Sequence, residues 1–230
     1  MFFFDPLYLL FLIPGLLLSG WASWRVQSAF SRASKIRARS GATGAQAAQL
    51  LLERSGIHHG RVEPTQGFLS DHYVPGKALL RLSPDVYQGQ SLAALGIAAH
   101  EAGHAFQDAK RYPLLVARNA LVPMASLGSN AAWIVFFIGL MLQWSGLILV
   151  GVVLFSLVVL FQLVNLPVEF DASRRARIAL KETGLITLEE DAEVAKVLNA
   201  AAMTYVAATL TSVLTLLYFL LRSGLLGGRN

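Results

Sequence analysis

Five residues near the middle of this 230-residue chain have the types and spacing to do chemistry: His100-Glu101-Ala102-Gly103-His104. On a helix, side chains four apart share a face, so His100 and His104 can direct two imidazoles at one cation. Glu101 then lies beside the metal rather than on it. Zinc held in this way lowers the pKa of a bound water, and the neighbouring carboxylate takes the proton as the water attacks a peptide carbonyl, later passing it to the leaving amine. The bare pattern also arises by chance, as a helix with two surface histidines. Its setting argues against chance: Ala98, Ala99 and Ala105 flank it, and in a small-residue apolar helix two histidines and a glutamate are costly to bury without a metal or polar partners.

The chain has no cysteine, so any metal rests on His, Asp or Glu. A catalytic zinc takes three protein ligands and leaves its fourth position to water. Glu169, in Pro167-Val168-Glu169-Phe170-Asp171-Ala172-Ser173-Arg174-Arg175, is the best candidate for the third. The competing reading is that Glu169 merely opens a helix, where an acid favours the positive end of the dipole. Asp171 is the other possible ligand, but two residues along a helix it points about 200° away, so only one of the two faces the site. His72, in Ser70-Asp71-His72-Tyr73, could orient substrate or stabilise an oxyanion, or be an ordinary strand histidine. His58 and His59, beside Gly60, read as solvated loop residues.

The elements that must position these residues can be read from punctuation. Thr43 can cap a helix over residues 43–55 that stops at Gly56. Arg61 to Pro64 and Gly67 to Val74 read as short strands, with Pro75-Gly76 turning the chain into a third, Lys77 to Leu82. Ser83-Pro84-Asp85 opens a short helix that Gly89 ends. Ser91 to Lys110 then forms the helix that carries the two histidines.

Around this region the charges thin out. The chain is 55% hydrophobic and 14% charged, against about 25% charged in a soluble domain. Pro6 to Trp24 carries no charge, and at about 1.5 Å per residue it covers the roughly 30 Å of a bilayer core. A secretory signal would open with a positive region, whereas only Asp5 precedes this run. Residues 119–168 are uncharged and long enough for two spans joined at Gln143-Trp144-Ser145-Gly146; residues 197–221 supply a fourth. Phe2, Phe3 and Phe4 read as interfacial anchors. Asn165, Asn199 and Tyr205 are polar groups in or near spans, explained equally by function or by interhelical hydrogen bonds.

Basic residues follow the first span (Arg25, Arg32, Lys35, Arg37, Arg39) and the third (Arg174, Arg175, Arg177, Lys181). Basic flanks stay cytoplasmic, so residues 25–118 and 169–196 are expected on that side, with both termini outside; Arg222 and Arg229 count against this. Two spans between His104 and Glu169 return the chain to one face, as ligands of a common ion require. The net charge of +5 sits mainly in residues 25–118. A juxtamembrane segment facing anionic lipid explains it, and no nucleic-acid partner is expected.

With both motifs in hand, the chain resembles the YugP-type neutral zinc metallopeptidases, a family of bacterial membrane proteases. The likeness runs through Phe4-Asp5-Pro6-Leu7-Tyr8, Ser70-Asp71-His72-Tyr73, Ala98 to Ala105, Leu166 to Arg175 and Val197 to Ala202, and so covers nearly the whole chain. More distantly it is similar to the gluzincin membrane proteases HtpX and the CAAX prenyl proteases, which pair His-Glu-x-x-His with a later Glu-x-x-x-Asp. That likeness implies His100, His104 and Glu169 as ligands of one Zn2+ per chain and Glu101 as the base. Ser173 stands where those proteases have the Asp, so the role of that Asp does not carry over.

The expectation is therefore a mainly α membrane protein of the bacterial inner membrane. Four transmembrane helices (1–24, two in 119–168, and 197–222) accompany a small cytoplasmic α+β gluzincin-like catalytic region with a β-hairpin or small sheet. Its partners would be the lipid bilayer and a protein or peptide substrate; the sequence does not set the oligomeric state. A zinc-stabilised scaffold is the alternative, and it would close the fourth zinc position with a protein ligand such as His72. A solute transporter fits poorly, because the charged motifs fall outside the spans.

Overall fold

The computed structural model describes residues 6–224, so Phe2, Phe3, Phe4, Asp5 and Arg229 lie outside it. In chain order the elements are α1 (Pro6–Ala33), α2 (Gly44–Arg54), β1 (Arg61–Pro64), β2 (His72–Val74), β3 (Leu79–Leu82), α3 (Pro84–Tyr87), α4 (Leu92–Ala109), α5 (Pro113–Met141), α6 (Ser145–Glu182) and α7 (Leu188–Arg222). The chain divides into two compact units, one of Ser23–Leu115 with Val168–Met203, the other of Met1–Ala22, Val116–Pro167 and Thr204–Asn230.

In the first of these units α4 is the central helix. Ser91 caps it by accepting the Ala94 N–H, and Leu92, Ala93, Leu95, Ala98, Ala99, Ala102 and Ala105 are all buried. Small side chains let neighbours approach closely. At Gly103 a Cβ would stand 2.5 Å from the Ala172 carbonyl oxygen of α6, so only glycine allows this separation. Thr43 caps α2 through a full capping box with Gln46.

The sheet has the order β1-β3-β2, with β1 parallel and β2 antiparallel to β3. β3 is its middle strand, with Leu79, Leu80 and Leu82 buried. Gly76, at φ +75°, turns β2 into β3 as the Pro75-Gly76 pair predicts. The strand expected over residues 67–74 is shorter than its composition suggests. Gly67 (φ +104°) and Leu69 (φ +51°) break the extended backbone, and only His72–Val74 remains paired. The pairing of β1 with β3 is a long-range parallel contact that no turn signal encodes.

The other unit is built from parts of the four helices that are long and apolar enough to cross a membrane. Its interior is aromatic: Phe136 and Phe219 stack with ring centroids 3.9 Å apart, and Trp133, Phe155 and Tyr218 surround them. Many large apolar side chains face outward, among them Leu16, Leu17, Ile134, Val153 and Leu163. Its described residues include two charged ones, Arg118 and Arg222. The Arg118 Nε donates to Asn165 Oδ1 at 3.1 Å. The turn between α5 and α6 falls at Leu142–Trp144, with Gln143 at φ +49°.

One element differs from the sequence reading in a way that bears on function. The competing reading of Glu169 has it open a helix; instead α6 runs unbroken from Ser145 to Glu182 with Pro167 inside it. A proline has no N–H for the carbonyl four residues back, yet here it does not end the helix. Glu169 is therefore mid-helix, far from any N-terminal dipole, and the reading of it as a first-turn acid does not hold.

Candidate metal centre

α4 carries His100 and His104 on one face, and their rings meet edge to face with centroids 4.8 Å apart. Across from them α6 presents Glu169, whose side chain is 3% exposed. Glu169 Oε2 lies 3.2 Å from His100 Nε2 and 3.6 Å from His104 Nε2. One ligand atom from each residue falls within 4.8 Å of the other two. Two donors each about 2.0–2.1 Å from a tetrahedral ion stand about 3.4 Å apart, so these spacings suit zinc.

The chemistry of the donors agrees. Glu169 Oε2 is fully buried with no aligned hydrogen-bond donor, an expensive state for a carboxylate oxygen unless a cation meets it. Burial alone would push the Glu169 carboxyl up, but the two imidazoles facing it more than offset that and hold it below the usual carboxylate range. For His104 burial disfavours the charged ring, yet Glu169 and then Glu101 raise its pKa. The two shifts are the two sides of one pairing: the carboxylates favour positive charge on the His104 ring, and the rings favour the ionised form of Glu169. His100 Nδ1 is 3.1 Å from Ser173 Oγ. A donor role for that Nδ1–H leaves Nε2 unprotonated toward Glu169. Glu101 is buried beside this cluster, 8% exposed.

The remaining sequence candidates fall elsewhere. His72 is exposed on β2, and its Nδ1–H donates to the Ser70 carbonyl at 2.8 Å. His58 and His59 are exposed, His59 lining a cavity of about 160 Å³ with Tyr73 and Asp108. Asp171, two residues past Glu169, is outside this group of three; it pairs with Arg174 and Arg175 and accepts from Gln107 Nε2 at 3.0 Å. Among the described residues, His100, His104 and Glu169 are the one group of three or more His or acidic side chains that could hold a metal.

Two features were missed in the sequence. Asp108, four residues after His104, accepts from the Tyr73 Oη–H at 2.6 Å and from the Gly76 N–H at 2.9 Å, which ties β2 and its turn to the end of α4. Strand alternation turns Tyr73 toward that helix and His72 to the opposite face. Gln107, fully buried, contacts His104. Its spacing of three from His104 was the available clue.

Two imidazoles from one helix and a carboxylate from another, with an acid beside them, are a group that could hold a single divalent cation through nitrogen and oxygen ligands. Residues 8–224 match the model of a family described as "putative neutral zinc metallopeptidase", and the chain belongs to that family. It is 44% identical over 215 residues to a Bacillus subtilis (strain 168) protein named "Putative membrane protease YugP", covering 94% of this chain and 96% of that one. No solved structure matches the chain.

Proposed function

We propose that this protein is a membrane-embedded zinc endopeptidase that hydrolyses peptide bonds in membrane or membrane-adjacent proteins at the cytoplasmic face of the bacterial inner membrane. The observation that carries the proposal is the convergence of His100, His104 and Glu169 on a buried, cation-favouring point. Three protein ligands, rather than four, is the stoichiometry of a catalytic site and weighs against a closed scaffold zinc. Four long apolar helices support a multi-pass protein. Basic residues after the first and third spans support an N-out, C-out arrangement with residues 25–118 and 169–196 in the cytoplasm.

When bound, zinc supplies Lewis acidity to a water and to the carbonyl that the water attacks. Glu101 is the general base: it takes the water's proton and returns it to the departing amine. His100, His104 and Glu169 would hold the ion. Substrate is proposed to add to the open edge of β2 as an extended strand, held by backbone hydrogen bonds and so with modest sequence preference. His72, exposed on that strand on the face turned from α4, is the candidate there to orient the substrate.

The test is cleavage of an unfolded reporter protein by the detergent-purified enzyme, wild type and Glu101→Gln, each with and without a zinc chelator. Loss of a general base predicts a fall of about 10²–10⁴-fold in rate for Glu101→Gln with zinc retained, and chelation should abolish wild-type cleavage until zinc is restored. Full activity in Glu101→Gln would remove that residue from the mechanism.

A further inference from the structure

We propose that Gln107 is a positioning residue that fixes the metal-binding tautomer of His104, using the carboxylate of Asp171 to set its own amide. The inference rests on the zinc reading above. Gln107 lies on α4 three residues after His104 and is 0% exposed, so its amide needs buried partners. Its Nε2 donates to the Val168 carbonyl at 2.8 Å and to Asp171 Oδ2 at 3.0 Å. Its Oε1 lies 3.1 Å from His104 Nδ1.

An amide could in principle sit either way round, but here its surroundings decide. A carbonyl oxygen and a carboxylate oxygen can only accept, so both demand the NH₂ end. The Oε1 end is left for His104, and an acceptor there requires Nδ1 to carry the proton. The single remaining lone pair of the ring is then at Nε2, the atom that faces Glu169. Asp171 is held in turn by Arg174 and Arg175, so the chain of constraint runs from two guanidiniums through a carboxylate and an amide to the ligand. Such outer partners typically change metal affinity 10–100-fold when removed.

The arrangement also gives Asp171 a purpose. It supports the second histidine through Gln107, while Ser173 supports the first directly. A purely structural role for Gln107, clamping α4 to α6 through its NH₂ group, is the rival account, and two variants separate them. Gln107→Met removes both ends of the contact; Gln107→Glu keeps an acceptor for His104 Nδ1–H but sets a carboxylate against the Val168 carbonyl and Asp171.

The experiment is zinc affinity of the full-length detergent-purified protein by competition with a chromophoric chelator, together with the visible absorption of the Co²⁺-loaded form and the melting temperature of the metal-free form. The tautomer role predicts a 10–100-fold weaker zinc site in Gln107→Met with a shifted Co²⁺ spectrum, and a smaller loss in Gln107→Glu even if that variant melts lower. Zinc affinity within twofold of wild type in Gln107→Met, or a loss in Gln107→Glu equal to or greater than that in Gln107→Met, would overturn the inference. Failure of the wild type itself to bind zinc would overturn the zinc reading and this inference together.

Discussion

α6 passes through two different environments, and the contrast between them explains how one chain serves two ends. From Ser145 to Pro167 it has no charged residue and lies in the unit of aromatic stacking and outward-facing apolar side chains. From Val168 onward it carries Glu169, Asp171, Arg174, Arg175 and Arg177, nearly all paired. In the first stretch the polar groups are few, and Asn165 is met by Arg118. In the second, polar groups are many and satisfied, with one buried exception, Glu169 Oε2. That oxygen faces the two imidazoles, and a cation bound there would satisfy it.

The contrast predicts that damage to the two units reads out differently. Phe136→Ala removes a fully buried ring stacked on Phe219. It should lower stability by about 3–5 kcal/mol, seen as a lower melting temperature in detergent, while the zinc affinity of the folded protein stays unchanged. A parallel loss of zinc would blur the division.

Gly103→Ala should do the reverse. Its Cβ would meet the Ala172 carbonyl oxygen at 2.5 Å and push α4 and α6 apart between His104 and Glu169. The cost is about 1–3 kcal/mol of overpacking, less than for Phe136→Ala, yet zinc binding should weaken measurably. Unaltered zinc affinity would mean that the site tolerates helix displacement.

The smallest effect is expected at Asp191, which pairs with Arg177 at 2.8 Å and Lys181 at 3.1 Å. Arg177 is the main cause of its depressed pKa. A carboxylate lowered by folding stabilises the native state above its unfolded pKa of about 3.9, and that contribution disappears as pH falls through the folded value. For a partly exposed pair it is about 0–1 kcal/mol. Acid melts of Asp191→Asn and wild type should therefore converge below pH 4 and differ slightly at pH 7; a gap that widens with acid would contradict the sign.

That His100, His104 and Glu169 come together was legible, because the logic of this candidate site is short-range or topological. His100 and His104 are four residues apart on a helix whose Ser cap and alanines announce it, and two uncharged stretches in residues 119–168 allow Glu169 to return to them. What was not legible depends on tertiary packing. That Glu169 lies inside one unbroken α6 rather than opening a helix is settled by the fold, and positive φ at Gly67 and Leu69 cuts short a strand that composition favours. Gln107 and Asp108 are ordinary helix residues until Asp171, Tyr73 and Gly76 arrive from elsewhere in the chain.

The central claim is that Glu169, brought from α6, completes a zinc site begun by the two histidines of α4. Its most direct test is zinc content per chain in the purified wild type, Glu101→Gln and Glu169→Ala after dialysis against a weak chelator. The account predicts one zinc in wild type and Glu101→Gln and little or none in Glu169→Ala. One tightly held zinc in Glu169→Ala would contradict it.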